Sequence, residues 1–458
     1  MSTDGLALFT DLYELRMLDA YLQEGMEENA VFSLFVRRLP PERNYLLACG
    51  LATVLEYLET LRFTDEDIAY LDSLGEFSPR MLDWLRGMRF TGDVRAVPEG
   101  TPVFANEPIL EICAPIGQAQ IVETFVMNQV HLQTLLASKA ARVVTAAQGR
   151  PVVDFGARRM HGIDAALKAA RAFHIAGVAS TSNVLAGKTF GLKVAGTMAH
   201  SYVQAHETEA QAFREFARRF PRTTILVDTY DTLEGVRHVI QLASELGPEF
   251  RVAAIRLDSG DLAQLARDAR RLLDEAGLAE VQIIVSGGLD EYVVAELVSQ
   301  APIDAFGVGT AMGVSADVPS LDIVYKLVEY AGTGRLKLSA GKPVLPGHKQ
   351  VFRIEERGEA VYDVIARADD RVERGRPLLE PVMQSGKILP GAHRSLDEIR
   401  DHARAELARL PAAVRGLEPA TPPYRVEVSP ALAQAQHELR ARIASGASGG
   451  ALQAGGSV

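Results

Sequence analysis

The sequence of 458 residues is poor in cysteine, in long apolar runs and in positive charge, and each deficit excludes a class of protein. Its two cysteines, Cys49 and Cys113, are too few for a cysteine-rich metal site or a disulfide framework, and we expect both to be small apolar residues of the interior. No uncharged apolar run reaches about 18 residues, so no membrane-spanning segment is expected. The first residues lack a basic stretch followed by an apolar one, unlike a signal peptide, so the expected location is cytoplasmic.

The charge balance limits the partners of the protein. A formal net charge of -11 argues against a nucleic-acid surface, which needs a basic face to exchange counterions with phosphates. An anionic ligand must therefore be held by a local basic pocket. With 47% hydrophobic and 23% charged residues, the chain has an ordinary globular composition and is long enough for two or more domains.

Residues 1–117 are predicted to form an α/β sandwich domain. Thr10 is a good helix cap and leucines follow it at three- and four-residue spacing, so a helix is expected over 10–24, with Tyr13 in its first turn. Four prolines between short apolar runs over 92–117 predict edge strands rather than a central sheet. The other elements expected here are a broken strand at 31–49 and helices at 51–61 and 65–85.

Residues 118–330 show the pattern of a barrel. After a long helix expected over 118–148, short apolar strands alternate with helical stretches, which is typical of right-handed βαβ units and a parallel sheet. Seven strands are expected, at 152–155, 177–179, 193–195, 224–227, 253–257, 283–285 and 305–308. Because a closed barrel of this type has eight strands, we predict an irregular, incomplete TIM-like α/β barrel, with a doubly wound open sheet as the alternative.

The chain after the barrel is predicted to return to the first domain. Strand-like alternation resumes over 337–371, and the segment 331–425 is expected to complete the sandwich. Residues 426–458 are expected to be helical and then a flexible tail, because Ser445–Gly450 has a composition that rarely orders. The predicted fold is thus α/β: an incomplete TIM-like barrel plus an α/β sandwich built from the N-terminal and post-barrel segments.

Two glycine-bearing strand ends predict a phosphate site late in the barrel. They are Ser286-Gly287-Gly288 and Gly307-Val308-Gly309-Thr310. Glycine lets backbone N–H groups approach phosphate oxygens, and the following helix points its positive end at them. Each motif alone is also compatible with a tight turn.

Basic residues follow two other predicted strands. Arg158 and Arg159 come after the first strand, and the planar guanidinium suits a carboxylate or phosphate in two-point contact. Arg159 is equally compatible with a surface ion pair to an acid on a neighbouring helix. Arg256 ends another strand, so all three cations are expected at the same rim.

Acidic residues at the same strand ends suggest a cation. Asp258 follows Arg256 by two positions and is the candidate ligand of Mg²⁺, which usually takes one or two carboxylates together with water and substrate phosphates. Asp261 and Asp231 are predicted to cap the helices that follow them. Asp228 is expected to face the pocket.

His200 follows a predicted strand and precedes a helical run over 202–218. Thr197 and Ser201 provide hydroxyl groups nearby. A histidine in a loop is often structural, but a neutral imidazole at this rim is suited to act as a base or to accept a phosphoryl group. The spacing alone does not separate these two roles.

Taken together, these motifs resemble those of bacterial nicotinate phosphoribosyltransferases, which have a type II phosphoribosyltransferase fold. The resemblance covers residues 7–370 and rests on the order and spacing of eight motifs. They are Thr10 to Tyr13, Phe155 to Arg159, Ser180 to Asn183, Gly196 to Ser201, Val227 to Asp231, Arg256 to Asp261, Ser286 to Asp290 and Phe306 to Thr310.

The resemblance implies a reaction of NAD biosynthesis. Nicotinate would displace pyrophosphate from phosphoribosyl pyrophosphate, giving nicotinate mononucleotide, with coupled ATP hydrolysis and with Mg²⁺ as cofactor. His200 would be the residue that ATP phosphorylates. The implied assembly is a homodimer with shared active sites, in which Tyr13 from the neighbouring subunit stacks on the pyridine ring.

The resemblance also divides the site residues between two sides. The nicotinate side would contain Arg158, Thr197 and Arg256, and we place Ser201 there as well. The phosphate side would contain Ser286, Gly287, Gly288, Gly309 and Thr310.

Alternatives from related and different classes stay open. Nicotinamide or quinolinate would support the same chemistry, although the nicotinamide enzymes have an acidic residue before the histidine where this chain has Ala199. A non-catalytic nucleotide-binding regulator is the alternative of a different class. Some relatives carry a zinc element bound by cysteines, which two cysteines cannot form.

Overall fold

The computed structural model describes residues 5–338 and 344–445. The elements before the barrel strands are α1 (Leu12–Glu24), β1 (Asn29–Val36), β2 (Leu46–Leu47), α2 (Leu51–Thr60), α3 (Asp65–Ser73), α4 (Pro79–Gly87), β3 (Asp93–Ala96), β4 (Pro102–Val103), β5 (Pro108–Pro115), α5 (Ile116–Gln120) and α6 (Glu123–Ala146). The predicted N-terminal helix is present as α1. It buries Leu15, Leu18 and Leu22, which recur on one helical face.

The barrel region contains β6 (Val152–Asp154), α7 (Ile163–Ile175), β7 (Ser180–Thr181), α8 (Val184–Phe190), α9 (His200–Gln204), α10 (Glu209–Arg219), β8 (Thr224–Leu226), α11 (Thr232–Leu246), β9 (Ala254–Leu257), α12 (Leu262–Glu275), β10 (Gln282–Ser286), α13 (Glu291–Gln300), β11 (Ala305–Val308) and α14 (Thr310–Gly313). Its six strands are parallel, in the order β7-β6-β11-β10-β9-β8. This order follows the chain around a circle that stays open between β7 and β8. The incomplete TIM-like barrel is therefore confirmed.

Two predicted barrel strands differ from the observed ones. The strand expected at 177–179 is found at β7 instead, because Gly177 turns the chain with a φ of 106°. The strand expected at 193–195 is reduced to a bridge between Val194 and Thr181. Only two backbone hydrogen bonds, from Thr181 N–H and to Thr181 C=O, hold this segment beside β7.

Three predicted helices are each divided in two. The helix expected over 65–85 is found as α3 and α4, because Gly75 turns the chain with a φ of 67° and Pro79 starts a new helix. The helix expected over 118–148 is interrupted between α5 and α6, where two side chains near the start of α1 bond to the backbone. Thr10, just before α1, donates from Oγ1 to the carbonyl of Ile121 (3.3 Å), and Glu14 in α1 accepts from Thr124 N–H (3.1 Å). The helical run over 202–218 is divided into α9 and α10. Thr208 starts the second helix by accepting from Gln211 N–H.

The remaining elements are β12 (Ile323–Tyr330), β13 (Thr333–Gly334), β14 (Lys349–Glu356), β15 (Glu359–Arg367), β16 (Gly375–Pro377), β17 (Glu380–Gln384), β18 (Lys387–Ile388), α15 (Leu396–Arg409), α16 (Ala412–Arg415), β19 (Arg425–Val428) and α17 (Pro430–Ala444). Strands β14, β15, β16 and β19 form a four-stranded sheet of their own. Strands β12, β13, β17 and β18 join β1, β3 and β5 in a seven-stranded sheet, so the post-barrel chain does return to the first sheet. The four domain boundaries stay predictions, and the expected flexible tail from residue 446 onward lies outside the described residues.

The prediction of edge strands over 92–117 is wrong for β3 and β5 and is confirmed for β4, which forms a two-stranded sheet with β2. The seven-stranded sheet has the order β13-β12-β1-β5-β3-β17-β18, so β5 and β3 are interior strands. The prolines do not interrupt the pairing because Pro108 and Pro115 lie at the two ends of β5, whereas Leu110 to Cys113 pair with β1 and β3.

Helix α6 connects the two hydrophobic cores that hold the site in place. Phe125 and Val126 pack into the core beneath the seven-stranded sheet, and Leu136 and Ala140 pack into the barrel core. Lys139 of the same helix is buried and forms an ion pair with Glu291 at the start of α13. The barrel is therefore fixed firmly to the first domain.

The fold shows how deeply the two cysteines are buried and whether any described helix could cross a membrane. Cys49 is buried, whereas Cys113 is only partly buried, and both are free thiols. Within residues 5–338 and 344–445, no helix is long and apolar enough to cross a membrane.

Candidate active site at the rim of the barrel

A cavity of about 780 Å³ opens at the carboxyl ends of the barrel strands. Loops after β6, β9, β10 and β11 line it, together with the segment that precedes α9. Nine residues predicted from the sequence line this cavity: Arg158, Thr197, Arg256, Asp258, Ser286, Gly287, Gly288, Gly309 and Thr310. Loops from distant parts of the chain meet here because parallel strands all end at the same rim.

The glycine loop after β10 packs directly against the loop after β9. Gly287 has a φ of 89°, and a Cβ atom on it would lie 2.0 Å from the backbone oxygen of Asp258. Ser286 Oγ donates to Asp258 Oδ1. The close approach of the two loops thus requires glycine at this position.

The loop after β8 supports the loop after β9 through hydrogen bonds. Asp228 Oδ2 accepts from the backbone N–H of Asp258 (3.0 Å) and from Ser259 Oγ (2.6 Å). The predicted orientation of Asp228 toward the pocket is not observed, since it is absent from the cavity lining. Its carboxylate instead fixes the loop that carries Asp258.

Arg256 is the most enclosed cation of the cavity. Its Nη1 donates to Thr197 Oγ1 (2.5 Å), and its guanidinium carbon lies 5.7 Å from the centroid of the Phe155 ring. Burial lowers the pKa of Arg256, and the carboxylates of Asp258 and then Asp228 oppose this effect. Because Arg256 Nε is buried and has no hydrogen-bond partner among the described residues, the group is suited to an anionic ligand.

Arg158 and Arg159 lie at the exposed edge of the cavity. Arg158 Nη1 donates to the carbonyl of Phe155 (3.1 Å). The surface ion pair considered for Arg159 is not found: in the described part of the chain it pairs with no acid, and it lines the cavity. Both guanidiniums are therefore available to an incoming anion.

His200 lies just outside the cavity lining, at the first position of α9. Its Nδ1 is 3.2 Å from Thr229 Oγ1, in the loop after β8. The neighbouring Ala199 does line the cavity, whereas Ser201 is exposed and does not. The site thus contains His200 at its edge rather than at its centre.

Tyr13 is not brought to the cavity of its own chain. It lies on α1 with 47% of its surface exposed. Burial of the hydroxyl, and then the carboxylate of Glu123, raise the pKa of Tyr13. A role for Tyr13 at the site would require a second subunit.

The acidic residues divide into caps and one candidate ligand. Asp231 and Asp261 accept from backbone N–H groups at the starts of α11 and α12, so both predicted caps are confirmed. Asp258 is the acid that lines the cavity. Across the described residues no three His, Cys, Asp or Glu side chains form a metal cluster, so the donor set fits only an ion that is held largely by water and substrate.

Several lining residues were not predicted from the sequence. Ser182 belongs to a quoted motif, and its hydroxyl group offered a usable signal. Gly307 stands in the glycine motif that predicted the phosphate site, although it was not named on its own. Met198 and Leu289 also lie in quoted motifs, whereas Ala311 and Ala316 do not, and the apolar side chains of these four gave no chemical signal.

An incomplete parallel α/β barrel with a cationic, glycine-rich rim is typical of barrel enzymes that bind phosphorylated substrates. Models of the nicotinate phosphoribosyltransferase (NAPRTase) family match three segments: the N-terminal domain at residues 8–131, the family model at residues 151–351 and the C-terminal domain at residues 372–436. The chain belongs to the nicotinate phosphoribosyltransferase family. The predicted family, enzyme class and fold are therefore confirmed.

Individual relatives agree with this assignment. The nicotinate phosphoribosyltransferase pncB2 of Mycobacterium tuberculosis is 54% identical over 424 residues, which cover 92% of this chain and 91% of the relative. The Bacillus subtilis nicotinate phosphoribosyltransferase is 44% identical, with 81% of this chain and 78% of the relative covered. The crystal structure of human nicotinic acid phosphoribosyltransferase superposes with a TM-score of 0.83 at 30% identity and covers 94% of this chain and 100% of that chain.

Proposed function

We propose that this enzyme transfers the phosphoribosyl group of phosphoribosyl pyrophosphate to nicotinate, forming nicotinate mononucleotide and pyrophosphate in the salvage branch of NAD biosynthesis. The observation that carries the proposal is the cavity in which Arg158, Arg159 and Arg256 face the glycine loops after β10 and β11. Such an arrangement suits one carboxylate and several phosphate groups at once.

Nicotinate binds at the Arg256 side in this proposal. The hydrogen bond from Arg256 to Thr197 fixes the guanidinium, and the Phe155 ring beside it offers an apolar face to the pyridine ring. Arg158 provides a second charge for the carboxylate. Tyr13 of a second subunit covers the other face of the ring, which makes the active enzyme a homodimer with shared sites.

The phosphoribosyl group binds at the glycine side. Backbone N–H groups of Gly288, Gly309 and Thr310 hold the phosphate, and Asp258 faces the leaving pyrophosphate. Asp258 is suited to share Mg²⁺ with the substrate, and a bound Mg²⁺ neutralises charge on the leaving group. The protein fixes both reactants so that the pyridine nitrogen attacks as positive charge develops on the ribose carbon.

ATP drives the reaction through His200 in this proposal. The imidazole lies beside the cavity, next to the lining residue Ala199. We also propose a cytoplasmic location, because the two cysteines are free thiols, which suits a reducing compartment.

Pyrophosphate release tests the proposal. It is measured with nicotinate and phosphoribosyl pyrophosphate, with and without ATP, and nicotinamide and quinolinate replace nicotinate in parallel reactions. We expect release that depends on nicotinate and increases with ATP. A preference for either alternative pyridine would refute the substrate assignment, and no release under any condition would favour a non-catalytic nucleotide-binding regulator.

Replacing His200 by alanine tests the ATP step. The variant should lose all stimulation by ATP and keep slow, ATP-independent transfer. A variant that ATP still stimulates would exclude the phosphohistidine.

A further inference from the structure

Thr229 makes the side-chain hydrogen bond that orients His200. The Oγ1–Nδ1 distance is 3.2 Å, and no other side-chain hydrogen bond of His200 occurs in the described part of the chain. Thr229 lies in the loop between β8 and α11, 29 positions from the histidine in sequence. It lies in the quoted motif Val227 to Asp231, but the sequence indicated no role for it.

The contact engages Nδ1 and leaves Nε2 without a side-chain partner in the described part of the chain. The threonine hydroxyl can accept from Nδ1–H or donate to Nδ1, and the first arrangement is the one that leaves a lone pair on Nε2. When Nδ1–H donates to Thr229 Oγ1, the neutral ring carries its lone pair on Nε2. Nε2 can then attack the γ-phosphorus of ATP: the N–P bond forms, the bond from phosphorus to the bridging oxygen breaks, and its electron pair leaves with ADP. No proton has to move during this step. The phosphorylated ring carries more positive charge, so Nδ1–H becomes a stronger donor to Thr229.

Thr229 itself is held on both sides. The preceding residue, Asp228, is bonded to the backbone of Asp258 and to Ser259, and Asp231 caps α11 by accepting from Glu234 N–H (2.9 Å). A hydroxyl in such a fixed loop keeps one orientation of the imidazole without a large entropic cost.

We propose that Thr229 is a positioning residue that holds His200 in the tautomer and orientation required to accept a phosphoryl group on Nε2. The proposal rests on the phosphohistidine of the proposed function. It assigns to the loop after β8 a role in the ATP step, beyond its support of Asp258.

Thr229→Val tests the proposal, because valine preserves the shape of the side chain and removes the hydroxyl. Phosphoenzyme formation from ATP labelled in the γ-phosphate is followed by rapid quench, and ATP-independent pyrophosphate release is measured on the same preparation. We expect the ratio of the phosphorylation rate to the ATP-independent rate to fall by about tenfold, the value of one hydrogen bond. Thr229→Ser should restore most of the ratio.

A matched control is available at the other end of β8. Thr223 precedes β8, and its hydroxyl makes only a 3.5 Å contact with the carbonyl of Thr224. Thr223→Val should leave both rates unchanged. Thermal unfolding of each variant checks that the fold is intact.

The outcomes separate the two levels of the proposal. A wild-type enzyme that forms no phosphoenzyme at His200 would overturn the phosphohistidine and, with it, the role of Thr229. If the wild type is phosphorylated at His200, an unchanged ratio in Thr229→Val, or a serine variant no better than valine, would overturn the positioning role alone.

Discussion

Replacing Gly287 by alanine tests whether the loops after β9 and β10 must approach closely for catalysis. Gly287 has a φ of 89°, and the new Cβ atom would lie 2.0 Å from the backbone oxygen of Asp258. A real Cβ atom essentially never lies within 3.0 Å of a heavy atom from another part of the chain, so the two loops have to separate by about 1 Å. The contacting atom belongs to the backbone, and no side-chain rotation relieves the clash.

The expected loss follows from this displacement. A misplacement of about 1 Å at a reacting site lowers kcat/KM by about a hundredfold, which corresponds to about 2.7 kcal/mol of transition-state stabilisation. The left-handed backbone conformation adds about 1 to 2 kcal/mol of lost folding stability. Pyrophosphate release gives kcat/KM, and denaturant unfolding gives the free energy of unfolding.

Gly277→Ala is the matched control at the opposite end of β10. Gly277 also has a positive φ, 73°, but no atom lies within 4 Å of a Cβ placed on it. This variant should lose about 1 to 2 kcal/mol of stability from backbone strain alone and retain wild-type kcat/KM. The reasoning is refuted if Gly287→Ala keeps wild-type kcat/KM, or if both variants lose activity equally.

Two further predictions concern single charges. Arg158→Ala should raise KM for nicotinate by about tenfold to a hundredfold, since one charge-assisted contact with a carboxylate is worth about 1.5 to 3 kcal/mol. Steady-state kinetics measures this KM, and an unchanged value would contradict the prediction. Contacts with Cys113 and then Glu111 raise the pKa of His348 from 6.5 to about 9. The protonated form therefore stabilises the fold fully below pH 6.5, and this contribution is lost as the pH rises toward 9. Below pH 6.5, the free energy of unfolding of the wild type should exceed that of His348→Gln by a constant amount. Above pH 6.5 the difference should shrink, and a difference that grows with pH would exclude the stabilising role of protonated His348.

Five of the seven predicted barrel strands are at the expected positions. The strands expected at 152–155, 224–227, 253–257, 283–285 and 305–308 agree with β6, β8, β9, β10 and β11 within one residue at each end. The expected strands at 177–179 and 193–195 failed because short apolar runs next to glycine have no length signal, and strand pairing decided which residues became extended. The segment 92–117 was misread for a related reason. The sequence does not show where its prolines lie relative to the residues that pair with neighbouring strands.

The sequence by itself determined the local features of this protein. The helix caps Asp231 and Asp261, the glycines after β10 and β11, and the alternation of strands with helices all depend on neighbouring residues, so local pattern specifies them. Parallel alternation also implied that the strand ends share one rim, and nine predicted residues do line one cavity there.

Only the tertiary structure decided the contacts between distant segments. It left the barrel open between β7 and β8, placed β5 inside its sheet, kept Tyr13 away from the cavity of its own chain, and set Thr229 against His200. The physical reason is that hydrophobic period and turn chemistry act over a few residues. Which strands pair, and which side chains then meet, depends on how the whole chain packs its two cores.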